Sequence, residues 1–244
     1  MVFTCAGQRT DVVTAFREAG ATTIAADLNP LAPALYHAER RLVPPRVDDP
    51  DYVPFLARAA LEHDVSLIVP LTDLDQRVLA GRSDELPALV LLPALETVDT
   101  TNDKWLAHEF FEAHGIDSPP TWLPHELPAE LPFPVLVKPR RGFASKGIHR
   151  AEDREQLDFF LRYTDAPSMV QRVCQGEEFS VDVFCDLDGR CLGAVPRTMI
   201  ESKGGESIKG MAIKDWELIE VGRRVAEALR IVGPANVQCF RTAD

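Results

Sequence analysis

The N-terminal third of the chain sets the strongest constraint on the fold, because short apolar runs alternate there with amphipathic stretches. Val2-Phe3-Thr4-Cys5, Thr22 to Ala26, Val65 to Pro70 and Ala88 to Leu92 read as strands. Between them, Thr10 to Ala19 sets Val12, Val13, Ala15, Phe16 and Ala19 at helical spacing and closes on Gly20. Tyr52 to His63 reads as a second helix, after the Pro44-Pro45 break. Strands that run in one direction need long crossovers, and crossover helices cover both faces of the sheet. The expected fold class is α/β, with a Rossmann-like parallel-sheet domain over residues 1–95.

Such a domain raises the question of a dinucleotide. The fingerprint needs G-x-G-x-x-G between strand and helix, with an acid about 20 residues on. Asp27 stands at that offset, but Ala6-Gly7-Gln8-Arg9-Thr10-Asp11 offers one glycine. One glycine cannot supply both the tight turn and the close pyrophosphate approach, so NAD is not expected. Asp73 and Asp75 are read as caps of a helix that starts near them.

Val98 to Asn102 reads as a linker, and a second domain is expected over residues 96–244. Asp103 to His114 is a helix with Trp105, Leu106, Phe110 and Phe111 on one face and Gly115 after it. Ser118 to Pro134 is mostly loop. Phe133 to Pro139 is a buried strand that ends in Lys138, Asp153 to Tyr163 a helix, and Met169 to Val173 another strand. Glu178 to Asp186 alternates Phe179, Val181, Val183 and Cys185 against Ser180, Asp182 and Phe184. It pairs with Cys191 to Val195 through Asp186-Leu187-Asp188-Gly189. Asp215 to Arg230 is a helix with Leu218, Val221, Val225 and Leu229 on one side, and Val237 to Phe240 starts a last strand.

Charge narrows the function. The formal net charge of -12 argues against a nucleic-acid surface, which needs a basic face. No apolar run reaches the roughly 18 residues of a membrane span. The N-terminus has no basic region and no long apolar run, so a cytoplasmic protein is expected. Five cysteines at irregular spacing fit a reducing compartment, and six histidines form no spaced ligand set. Against the acidic background, Lys138, Arg140, Arg141, Lys146 and Arg150 fall between Phe133 and Ala151 with no acid among them. That island reads either as a solvated loop or as an anion site.

The stretch Lys138-Pro139-Arg140-Arg141-Gly142-Phe143-Ala144-Ser145-Lys146-Gly147-Ile148 favours the anion. A strand delivers a lysine, and a small-residue loop with further cations follows, as in loops whose N–H groups wrap phosphates. It is not a P-loop, since G-x-x-x-x-G-K-[ST] is absent. The segment Met169-Val170-Gln171-Arg172-Val173-Cys174-Gln175-Gly176-Glu177-Glu178 resembles the hinge of the ATP-grasp superfamily. The order of Asp103-Lys104-Trp105, the 133–147 stretch, the hinge and Gly233-Pro234-Ala235-Asn236-Val237-Gln238 resembles it too. Ala25 to Pro30 and Ile68 to Asp73 look like the domain that precedes the grasp in members similar to the carbamoyl phosphate synthase large chain.

That resemblance implies an incomplete α+β ATP-grasp domain after the first, in the carboxylate–amine ligase branch. It implies that Lys104 and Lys138 contact ATP phosphates, and that Ser145, Lys146 and Gly147 form the covering loop. It sets Gln171, Arg172 and Val173 against the adenine edge and Glu178 on the ribose. Gln238 matches a metal-coordinating position, for Mg²⁺ or Mn²⁺, and Arg197 falls near a substrate or phosphate arginine. Taken singly, Lys104 reads first as a solvated helix-surface lysine, while Glu178 reads equally as an ordinary strand carboxylate and Gln238 as a polar strand residue. Two departures stand out. Arg172 replaces an acid common in such hinges, and no Glu-x-Asn pair follows Gln238, so the metal site is expected to be incomplete and the C-terminal part missing. The implied partners are ATP and a small carboxylate, with a homodimer among the assemblies allowed. The implied chemistry is activation of that carboxylate as an acyl phosphate for an amine or similar nucleophile, with carbamoyl-phosphate-type chemistry, or a degenerate nucleotide-binding or structural protein without turnover, as alternatives.

Overall fold

The computed structural model describes residues 1–142, 145–203 and 206–242. The chain divides into two compact units, Met1–Val98 and Asp99–Asp244.

In the first unit the elements run β1 (Val2–Thr4), α1 (Thr10–Glu18), β2 (Ile24–Ala26), β3 (Arg40–Leu42), α2 (Tyr52–Glu62), β4 (Leu67–Pro70), α3 (Asp73–Gly81) and β5 (Leu89–Val90). The strands form one sheet in the order β3-β2-β1-β4-β5, and every pairing is parallel. Side chains on a strand alternate between faces. Val2, Ile24, Ala26 and Ile68 therefore meet Tyr52, Leu56 and Leu79 of α2 and α3, while Phe3, Ala25 and Val69 meet Val13 of α1. Both faces are covered, as a parallel sheet requires. Thr72 caps α3 by accepting from Leu74 N. This corrects the cap reading of Asp75, which is fully buried and accepts a 2.7 Å bond from Tyr52 Oη.

A second correction concerns Val98 to Asn102. These residues are not a linker but the end of α4 (Leu95–Asn102), within which the two units divide. Its Thr- and Asp-rich sequence has weak helix propensity. Burial of Val98 at 1% exposure overrides that weakness.

The second unit runs α5 (Lys104–Ala113), β6 (Thr121–Trp122), β7 (Val135–Pro139), β8 (His149–Ala151), α6 (Arg154–Tyr163), β9 (Ser168–Arg172), β10 (Glu177–Cys185), β11 (Cys191–Thr198), β12 (Glu201–Lys203), β13 (Glu206–Lys209), α7 (Trp216–Ala228) and β14 (Gly233–Arg241). Three helices start on an aspartate whose carboxylate accepts from first-turn N–H groups: Asp103, Asp153 and Asp215. One antiparallel sheet has the order β6-β9-β7-β8, and another β11-β10-β14. Val135, Val137, Ala151 and Val170 of the first pack with Leu157 of α6. Phe179, Val181, Val183 and Cys185 of β10 pack with Leu218, Val225 and Ala226 of α7. Val221, expected on this apolar side, is instead 36% exposed, and Gly222 takes the contact. A Cβ on Gly222 would stand 2.5 Å from Val181 Cγ1, so the helix lies as close to the sheet as a glycine permits.

Candidate functional site

Alternation along β7 turns Val135 and Val137 towards α6 and leaves Lys138, at the strand's end, on the other face. Register with β9 sets Leu136 opposite Gln171, one step along from Lys138. Lys138 Nζ donates to Gln171 Oε1 at 2.7 Å, Gln171 Nε2 donates to Thr121 Oγ1 at 2.8 Å, and Thr121 Oγ1 donates to the Pro119 carbonyl at 2.7 Å. Lys138 thus faces a neutral amide rather than an acid. Burial, and then the nearby Lys104 ammonium, push its pKa down to about 8.

Lys104 opens α5. Its backbone N–H donates to Arg140 O and its Nζ to Gly142 O at 2.8 Å. Asp103, 3% exposed, holds this corner together. It caps α5 and accepts 2.9 and 2.8 Å bonds from Arg140 Nε and Nη2, with Arg141 Nε at 3.4 Å. Burial pushes its carboxyl up, but the Arg140 and backbone bonds outweigh burial and hold it below the usual range. The basic island is therefore smaller than it looks in sequence. Arg140 and Arg141 are matched by Asp103, and Arg150 by Glu152. Ser145, Lys146 and Gly147 form an exposed turn before β8, with Ser145 and Gly147 at φ 54° and 72°. Phe143 and Ala144 lie outside the described residues.

The hinge is partly committed to the protein. Arg172 N donates to Pro120 O and Val173 N to Pro134 O. An adenine meeting this segment through Arg172 and Val173 would have to use their carbonyls. Beyond it, β10 presents Glu178, Ser180 and Asp182 on the face away from α7. Register brings Gln238 opposite Ser180, Asn236 opposite Asp182 and Arg197 opposite Ser180 from the other side. Glu178, Arg197 and Gln238 therefore share one sheet face. Arg197 does not stand alone there: Nε and Nη2 donate to Asp182 at 2.5 and 3.1 Å, and Asn236 Nδ2 donates to the same carboxylate at 2.6 Å. Burial pushes Asp182 up, but Arg197 and Asn236 together hold it below the usual carboxylate range.

Sequence reasoning missed three residues that organise these groups: Asp103, Asp182 and Thr121. Asp182 was legible as a polar residue alternating with Glu178 and Ser180. Asp103 was legible as a helix start and as a neighbour of Lys104 in one of the ordered motifs, but not as the partner of Arg140, and nothing marked Thr121.

Residues 1–90 match the family described as PylC-like, N-terminal domain, and residues 101–240 match the ATP-grasp domain. The carbamoyl phosphate synthase large chain of Agathobacter rectalis is 27% identical over 170 residues, 61% of this chain and 16% of that protein. The D-alanine–D-alanine ligase of Marinomonas sp. is 30% identical over 103 residues, 38% of this chain and 32% of that protein. Both matches span well under two thirds of the relative. The crystal structure of N5-carboxyaminoimidazole ribonucleotide synthetase from Thermotoga maritima superposes with a TM-score of 0.75 at 20% identity. It covers 99% of this chain and 64% of that one, a likeness of fold.

Proposed function

The chain belongs to the ATP-grasp family, and from that premise we propose that its second unit binds ATP and uses it to activate a small carboxylate. A carboxylate oxygen would attack the γ-phosphorus as ADP leaves, and an amine would then displace phosphate from the acyl phosphate. These steps bring anions together, so positive charge in a partly dry site is the first requirement. The observation that carries the proposal is Lys138, half-buried, close to Lys104 and without an acid to neutralise it. Ser145, Lys146 and Gly147 would close over the phosphates. Gln171, Arg172 and Val173 would lie along the adenine, Glu178 would reach the ribose, and Arg197 would stand near the reacting groups. The likeness to the carbamoyl phosphate synthase large chain favours bicarbonate or carbamate as one form of that carboxylate.

ATP-grasp enzymes generally use ATP with Mg²⁺. Mg²⁺ takes near-octahedral oxygen ligands, usually carboxylates with substrate phosphates. The described residues do not supply such a set. Gln238 offers one amide oxygen, Asp182 is engaged by Arg197 and Asn236, and no group of three or more His, Cys, Asp or Glu gathers there. Gln238 is thus proposed as a contact for a metal carried by the triphosphate, not as a site that holds one alone. A second reading, nucleotide binding without turnover, needs no complete metal site in these residues.

Calorimetric titration with ATP, with and without Mg²⁺, tests the proposal. Binding is expected, and Lys138→Ala should weaken it roughly tenfold or more while circular dichroism shows an intact fold. Unchanged affinity in the folded variant would remove Lys138 from the site. Carboxylate-dependent phosphate release separates the ligase from the binder.

A further inference from the structure

The turn end of the β10–β11 hairpin closes on two cysteines. Cys185 and Cys191 are partners in the antiparallel ladder, just past a register shift after Phe184, on the face that packs against α7. Between them, Asp186 N donates to Arg190 O, Gly189 N to Asp186 O, and Arg190 N to Asp186 Oδ1. The turn is therefore fixed by its own bonds. Opposed residues in an antiparallel pair have Cα atoms about 4.5–5.5 Å apart. A disulfide accepts Cα separations of about 4.4–6.8 Å. The pairing thus puts the two cysteines near the range a disulfide spans, with the register shift beside them as the irregularity a bond would accommodate.

The two sulfurs differ in setting. Cys185 is 2% exposed, and burial, then Cys191, push its thiol up to about 11. Cys191 is half-buried, and its Sγ lies 3.3 Å from Gly193 O. A reagent from solvent meets Cys191 first, while Cys185 is screened behind it. This is the arrangement of an attacking and a resolving thiol.

We propose that Cys185 and Cys191 form a reversible dithiol–disulfide site, oxidised by hydrogen peroxide and restored by small thiols. Cys191 Sγ attacks one peroxide oxygen, the O–O bond breaks, and the other oxygen leaves as water once protonated. Cys185 Sγ then attacks the sulfenic sulfur. The S–S bond forms, the S–O bond breaks, and the proton of Cys185 leaves with the oxygen as a second water. The thiols lose two electrons in total and the peroxide gains them.

Trypsin cuts at Arg190 between the two cysteines, and because Cys174 shares the 173–190 peptide with Cys185, fragmentation of the joined peptides assigns the bond. The full chain is treated with hydrogen peroxide, the remaining thiols are alkylated, and the digest is analysed by mass spectrometry. Expected are loss of two of the five thiols, a peptide pair joined through Cys185 and Cys191, and return of both thiols with dithiothreitol. Cys191→Ser, at a half-buried position outside the proposed nucleotide site, should keep its circular dichroism spectrum and lose the cross-link. The proposal is overturned if both cysteines stay alkylatable, if Cys191 ends as a sulfinic acid, or if either pairs with another cysteine.

Discussion

At the scale of single residues, Lys138 and Gln171 decide how the proposed site responds to pH. A phosphate favours the ammonium form, so ATP binding to free Lys138 with a pKa near 8 takes up a proton above that pH. Affinity should be flat below about pH 7 and fall as pH rises through 8, by up to about tenfold per unit. Gln171→Glu would set a carboxylate where the amide now accepts from Nζ. An adjacent opposite charge raises a lysine pKa, so the fall should move upward by about a unit or more. Calorimetry from about pH 6.5 to 9.5 on both proteins reads this, and coincident profiles would mean that Lys138 does not titrate in the site. Both residues stood out in the sequence, but for separate duties. Their side-chain contact depends on the β7–β9 register, which no local pattern specifies.

At the scale of elements, Asp103 joins α5 to the end of β7. Asp103→Ala removes a helix cap, worth about 1 kcal/mol, and leaves Arg140 half-buried without its acid, worth about 1–3 kcal/mol more. Urea unfolding should show a loss of about 2 kcal/mol or more, and Asp103→Asn, which keeps the cap, a smaller one. Gly222 poses the opposite case. Alanine is better by up to about 1 kcal/mol inside a helix, but its Cβ would strike Val181. Overpacking costs about 1–3 kcal/mol, so Gly222→Ala should destabilise, and less so in a Val181→Ala background. These two cases show where legibility stops. The helices with clear apolar periodicity and an Asp cap, α5, α6 and α7, could be read to within a residue or two. Strands β3 and β8 could not, because Arg40-Arg41-Leu42 and His149-Arg150-Ala151 carry too little apolar pattern and exist by pairing with β2 and β7. Helix α4 could not either, since Val98 is its one buried residue and leaves no apolar period to read.

At the scale of the whole molecule, each unit has its own core, parallel α/β in the first and antiparallel sheets with helices in the second. The alternation of apolar runs showed the first architecture directly. The second depends on distant pairings, such as β10 with β14, and became legible only through ordered motifs. Positive charge is partitioned between the units by kind as well as by number. The first unit contains arginine but no lysine, because every lysine of the chain lies at Lys104 or beyond. An amine-selective acylating reagent therefore sees the first unit only through the Met1 amine, while in the second it finds Lys138 deprotonated far below the usual lysine range. Brief acylation near pH 8 should tag Lys138 ahead of the solvent-facing Lys146, and ATP should shield it. The same buried amine that would grip a triphosphate thus doubles as a covalent reporter of whether the pocket is filled.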